Sequence, residues 1–217
     1  MKRSLVMTRL VSRTSLLGFA LIHAIHVVIL LLPTLMLTGR LQFDGPLAVF
    51  AILVALAAAL ESHFVQPSFN AASASIHDAS AIRIASMVGG LLLLSFWSAQ
   101  IERFVTHFDL PFLQFVGILA VAVGIVLRIQ AIRTLGPAFN SDISVGPCVV
   151  DHGIYRWLGH PSEIGLLMIA IGGPVILGSL CTAFAMVVTL APISAWRIRR
   201  ENRVLTRISN RVSTPLI

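Results

Sequence analysis

An all-α integral membrane fold is predicted by three features of the 217-residue sequence. Hydrophobic residues make up 57% of the chain and charged residues only 12%, against about 25% charged in soluble domains. Four apolar runs have lengths near that of a bilayer-crossing helix, and the arginines gather at the ends of those runs. The expected architecture is four transmembrane helices plus a C-terminal helical hairpin, with a cytosolic loop and a cytosolic C-terminal helix.

The elements follow in order. Lys2, Arg3, Arg9 and Arg13 open the chain and are followed by an apolar run over 16–37. That run exceeds the roughly 7–15 apolar residues of a secretory signal, and no small-x-small cleavage site closes it, so it reads as a retained first span. Further runs cover 46–64, 84–98 and 112–132. A hydrocarbon core about 30 Å thick needs around 20 helical residues, so the third run, the shortest, must draw on the weakly polar 81–85 and 99–101. Turn chemistry separates the runs at Thr38-Gly39-Arg40, Asp44-Gly45-Pro46, Gln66-Pro67-Ser68 and Asp109-Leu110-Pro111. Backbone groups in lipid must be satisfied within their own segment, which makes each run a helix.

The last apolar run, 164–193, is different. As one helix its 30 residues would reach about 45 Å, and Gly172-Gly173-Pro174 and Gly178-Ser179 interrupt it. One crossing would also place Arg197, Arg199, Arg200, Arg203, Arg207 and Arg211 outside, against the preference of Lys and Arg for the cytosolic side. A hairpin turning near Gly178 satisfies both observations; the alternative is one long kinked span. With four basic residues before the first span, both termini and the stretch 133–156 are expected in the cytosol. The chain thus reads as one unit over 1–217. Its parts are the transmembrane helices (1–133), a cytosolic loop (134–162), the hairpin (163–193) and a basic tail (194–217).

The net charge of +7 would suggest nucleic acid in a soluble protein. Here the cations sit at the ends of apolar runs, where anionic headgroups attract them, so the lipid bilayer is the expected partner and nucleic acid is not. Arg199, Arg200, Arg203 and Arg207 read as headgroup contacts, and Trp157 and Trp196 as interface anchors. Cys148 and Cys181 form neither a metal-ligand spacing nor a disulfide framework. His23 and His26, inside the first run, suit hydrogen bonds between helices. His63, His77 and His107 lie near run ends or in loops and read as solvated.

Two segments carry the chemistry: V-V-D-H-G-I-Y-R-W-L-G-H-P-S-E-I-G over 149–165 and R-I-R-R-E-N-R-V-L over 197–205. A returning hairpin brings them to one membrane face. Pro161 is suited to the first turn of a helix, which would aim free backbone N–H groups past His160 toward an anion. Arg197 and Glu201 stand at i and i+4 on one helix face.

These segments resemble the isoprenylcysteine carboxyl methyltransferase family, within membrane methyltransferases that include phospholipid methyltransferases. The family pattern is approximately L-V-x-x-G-x-Y-R-x-x-R-H-P-x-Y-x-G, an apolar hairpin, then R-I-x-x-E-E-x-x-L. The resemblance covers roughly 129–205. It departs at Gly159, Glu163 and Asn202, where the family has arginine, tyrosine and glutamate.

The resemblance implies S-adenosyl-L-methionine as methyl donor. It implies donor contacts from Ser144, Pro147, Cys148, Val149, Val150, Tyr155, His160, Pro161, Ser162, Glu163 and Glu201. It implies that Arg197 faces the carboxylate of a lipid-like or prenylated small-molecule or peptide acceptor. An arginine fork suits a carboxylate, which is ionised at neutral pH and needs no strong base. Two other functions fit parts of the pattern. One is a non-catalytic membrane scaffold of the same fold, favoured by the three departures. The other is an NADPH-dependent sterol-type reductase, which shares the His-Pro segment; those enzymes commonly carry an acidic residue where Leu166 follows Gly165.

Overall fold

The structure, a computed structural model, describes residues 24–25, 27–40, 44–64, 79–106, 110–135 and 152–212. The start of the first run with His23 and His26, the turn at 66–68, His77, His107 and the loop residues Ser144, Pro147, Cys148, Val149 and Val150 lie outside them. Among the described residues every regular element is helical and no strand occurs.

The helices are α1 (Val27–Thr38), α2 (Gly45–Phe64), α3 (Ala79–Thr106), α4 (Pro111–Leu135), α5 (Pro161–Ile176) and α6 (Leu180–Val212), with a 3-10 turn at Gly153–Arg156 before α5. By length and composition, Pro111–Leu135 and Leu180–Arg203 suffice to cross a membrane; Val27–Thr38, Gly45–Leu60 and Pro161–Ile176 are shorter apolar helices. Outward positions on α4 are apolar: Phe112, Phe115, Leu119 and Val126 are all exposed. A solvated helix would carry polar residues there.

The packing begins at α4 and α5, which approach through glycines. A Cβ placed on Gly165 would lie 2.6 Å from the Gly124 carbonyl oxygen, and one on Gly124 would lie 2.7 Å from that of Gly165. Gly117 and Gly172 repeat the arrangement two turns along, each Cβ position 2.9 Å from the other's carbonyl oxygen. Small residues let helix backbones approach closely where lipid supplies little hydrophobic drive between helices. Gly173 extends the contact toward α2 and α3, where a Cβ would meet Phe96 at 2.7 Å and Phe50 at 2.9 Å. Those two rings meet edge to face, centroids 4.8 Å apart, in a core completed by Leu30, Leu31, Val121, Ile125, Ile176 and Leu177.

The apolar run 164–193 is divided at Leu177–Ser179. Pro174 lies near the end of α5, and Gly178 adopts φ +73°, a left-handed conformation that favours glycine. Gly178 and Ser179 donate back to the Val175 and Pro174 carbonyls at 3.0 and 2.9 Å, which closes the helix end. Contacts with α3 fix this turn. The Ser179 hydroxyl donates to the Ala99 carbonyl at 2.5 Å. Glu102 accepts from the Cys181 and Thr182 backbone N–H groups at 2.9 and 2.8 Å and from the Thr182 hydroxyl at 2.7 Å. A carboxylate from a neighbouring helix thus supplies acceptors for the open N–H groups at the start of α6.

The helix at the third run takes in the expected 81–85 and 99–101 and extends beyond them: α3 has 28 residues, Ala79–Thr106, and the polar residues at its end have partners. Gln100 donates to the Leu30 carbonyl at 2.7 Å and accepts from the Thr34 hydroxyl at 2.7 Å, Glu102 holds α6, and Arg103 pairs with Asp44 at 2.8 Å. The second arm of the hairpin and the expected C-terminal helix are one element, since α6 runs for 33 residues without a break. Pro192 removes one backbone donor, and no turn chemistry follows it before Val212.

The α4–α5 contact predicts unequal costs for equal substitutions. Gly165→Ala should lower stability by about 1–3 kcal/mol, the usual cost of overpacking. Gly90→Ala, with nothing within 4 Å of its Cβ position, should be neutral or stabilising through helix propensity. Thermal unfolding of both variants in detergent checks this; equal behaviour would contradict the close contact.

Candidate functional site

The reversal at Gly178 sets the beginning of α5 against the late part of α6. Pro161 occupies the first turn of α5, and His160 stands just before it at the N-cap position without a side-chain bond to the helix backbone. The imidazole turns instead to α6. Its Nδ1 lies 3.2 Å from Glu201 Oε2, and its Nε2 lies 3.2 Å from Asn202 Oδ1. Both ring nitrogens face oxygen atoms in this arrangement, which favours the doubly protonated imidazole. The His160 pKa is accordingly raised above its ordinary value of 6.5, by the Glu201 hydrogen bond first, against the opposing effect of burial.

One turn earlier on α6, Arg197 Nη1 lies 2.7 Å from Glu163 Oε1. Glu163 sits in the first turn of α5, where the positive helix end favours a carboxylate. Its side chain is 13% exposed and that of Arg197 25%. The second carboxylate oxygen, Oε2, is buried and has no hydrogen-bond partner among the described residues. A buried polar atom in that condition costs about 1–3 kcal/mol. The neighbouring Ser162 hydroxyl accepts from Arg128 Nη1 of α4 at 3.1 Å.

The 3-10 turn places Tyr155 beside this cluster. Burial, and then the charge of Glu201, push its hydroxyl up to about 12. Gly153 starts the turn at φ +60°, with Thr134 of α4 against it. Arg156 lies over the Trp157 ring at 5.9 Å and Arg200 over that of Trp196 at 5.4 Å. A side chain at Gly159 would enter open space.

Among the described candidates, the structure joins His160 to Glu201 and Glu163 to Arg197, with Ser162, Pro161 and Tyr155 nearby. Arg197 and Glu201 do not pair along their own helix; each takes a partner from α5. Two participants escaped the sequence reading. Asn202 stands out there only as a departure, yet it holds the second nitrogen of His160. Arg128 is a lone cation inside an apolar run, and that alone is a signal of function. The cluster combines basic groups (Arg128, Arg197, His160) with carboxylates (Glu163, Glu201). It suits a ligand bearing both charges and hydrogen-bonding groups.

Residues 116–207 match the isoprenylcysteine carboxyl methyltransferase family. The chain is 33% identical over 95 residues to protein-S-isoprenylcysteine O-methyltransferase A of Arabidopsis thaliana, covering 42% of this chain and 48% of that protein. It is 33% identical over 90 residues to the protein-S-isoprenylcysteine O-methyltransferase of Tribolium castaneum, covering 37% and 32%. It is 30% identical over 104 residues to a probable protein-S-isoprenylcysteine O-methyltransferase of Oryza sativa subsp. indica, covering 46% and 54%. The chain spans about half the length, or less, of these curated relatives.

The raised His160 pKa gives a signed pH dependence. Its contribution is complete below the ordinary value of 6.5 and is lost as pH rises through the higher value in the folded chain. The thermal-stability advantage of the wild type over His160→Gln should therefore be largest in mild acid and shrink toward alkaline pH. A constant advantage would show that the imidazole acts there by shape alone.

Proposed function

Because residues 116–207 match the isoprenylcysteine carboxyl methyltransferase family, we propose that this chain methylates the carboxylate of a lipid-like, isoprenylcysteine-type acceptor with S-adenosyl-L-methionine as donor. The observation that carries the reading is the double crosslink, His160 with Glu201 and Glu163 with Arg197, which unites the two motif segments across the hairpin. In the membrane the chain has four spans plus the hairpin, with both termini and the site on the cytosolic side. The apolar exterior of α4 and the arginines at the end of α6 support that placement.

The residues present fit the donor. Glu201 is 46% exposed and keeps acceptor capacity for amino or ribose groups, and His160 holds its position. The start of α5 just after Pro161 offers the Ser162 backbone N–H to a carboxylate, and Tyr155 closes one side. Ser144, Pro147, Cys148, Val149 and Val150 belong to the same proposed donor site. When bound, S-adenosyl-L-methionine supplies a methyl group on a sulfonium. Transfer forms a carboxylate O–CH3 bond, breaks the S–CH3 bond and leaves the electron pair on sulfur in S-adenosylhomocysteine.

The chain's own part is positioning. Arg197 orients the acceptor carboxylate through its planar fork. An ionised carboxylate needs no proton removed, so no general base is required. Holding nucleophile and methyl group in line, away from water, supplies the rate.

Two variants separate the roles in a radiolabel assay with S-adenosyl-L-methionine and an S-farnesyl thioether carboxylic acid in proteoliposomes. Arg197→Lys should raise the acceptor KM about tenfold or more, as expected for a lost charge-assisted fork, with little change in the donor KM. Glu201→Gln should do the reverse. Equal effects of both variants on both constants would remove the division of roles, and no transfer by the wild type would favour the scaffold function.

A further inference from the structure

Arg197 is already engaged by a carboxylate of its own chain. Its Nη1 lies 2.7 Å from Glu163 Oε1, across the gap from α6 to the first turn of α5. The Arg197 side chain is 25% exposed and that of Glu163 13%, so the guanidinium is the more open member of the pair. The carboxylate depends on this contact, because its other oxygen, Oε2, is buried without a donor among the described residues. Removing one member of a pair so largely withdrawn from water leaves an uncompensated charge, which is the costly outcome.

We propose that Glu163 is a built-in competitor for the acceptor carboxylate: it engages Arg197 and thereby holds down the acceptor affinity of this chain. It is a positioning residue, acting through Arg197 and making no contact with the ligand. This rests on the methyltransferase function, in which Arg197 orients the acceptor carboxylate, and it moves Glu163 from donor binding to control of the acceptor.

An acceptor carboxylate can meet Arg197 in two ways, and Glu163 opposes both. If Arg197 leaves Glu163 for the acceptor, a mostly buried carboxylate loses its ion-pair partner. If Arg197 keeps Glu163 and offers the remaining N–H groups of its planar fork, one cation faces two carboxylates, and like charges brought together at a desolvated contact cost affinity. A neutral residue at position 163 removes both penalties and leaves the guanidinium charge to the acceptor. Glu201, the other carboxylate of the cluster, does not take this part, since its contact is to His160. The family pattern has tyrosine where Glu163 stands, so the competing carboxylate is a feature of this chain and not of the motif. Arg197 also directly follows the apolar part of α6 and Trp196, which places the contested cation at the border where the head of a lipid-like acceptor would lie.

The test uses the full chain in detergent, saturated with S-adenosylhomocysteine and titrated with an S-farnesyl thioether carboxylic acid or with its uncharged methyl ester. Glu163→Gln keeps the size of the side chain and an oxygen that accepts from Arg197, and removes only the charge. It should bind the acid about tenfold tighter than the wild type or better, the scale of one charge-assisted contact. Glu163→Tyr, which installs the residue of the family pattern, carries the same prediction where Glu163→Gln does not fold. The methyl ester should bind wild type and variant alike, a distinction that a merely structural role of Glu163 would not produce. Acid affinity that is unchanged or lowered in the variant overturns the assignment, and so does a gain that the ester shares. A variant that loses S-adenosylhomocysteine instead also overturns it and returns Glu163 to the donor side. A wild type that binds no S-adenosylhomocysteine overturns the methyltransferase function itself, a result distinct from the others.

Discussion

The close approach of α4 and α5 is the constraint on which the remaining structure depends. Gly124 and Gly165, then Gly117 and Gly172, bring the two backbones within a distance that a single methyl group would violate. That contact fixes where α5 begins and ends. Its far end sets Gly178 against the Ala99 and Glu102 region of α3, and its near end sets His160 and Glu163 where α6 returns. Without the glycines the helices would stand apart, and the paired side chains, which reach only a few ångströms, would separate.

The hairpin is therefore clamped at both ends by polar contacts of different character. At the turn, one carboxylate satisfies open backbone donors at the start of α6. At the other end, charged side chains from two helices pair across the gap. The turn end is satisfied internally and leaves nothing for a ligand. The paired end is not: Glu201 is half exposed, Glu163 has an oxygen without a donor among the described residues and Gly159 borders open space. Structural closure at one end and unused bonding capacity at the other are what a binding site on a rigid scaffold needs.

Much of this was legible in the residues, for reasons that differ by element. The runs 46–64 and 112–132 lie within α2 and α4, because hydrocarbon length leaves little freedom and Gly45 and Pro111 mark their starts. The turn at Gly178 was legible because glycine and serine interrupt an apolar run too long for one straight crossing. The extension of α3 past 101 was not, because Glu102 and Arg103 look like the polar end of a span until their partners on α6 and at Asp44 are known. The motif positions His160, Glu163, Arg197 and Glu201 were legible as a set. Their pairing was not, since it depends on how α6 is rotated against α5, and a local i,i+4 geometry offered a simpler partner for Glu201. Asn202 illustrates the same limit: its place in the sequence marks a change, and only the fold shows it on His160.

The central claim is that the crosslinked end of the hairpin binds the methyl donor. Calorimetric titration of the detergent-purified chain with S-adenosylhomocysteine, alongside NADPH, tests it most directly. Saturable binding of S-adenosylhomocysteine alone, lost in His160→Ala, is the predicted result. A well-folded preparation that binds neither compound, or that binds NADPH instead, would contradict it.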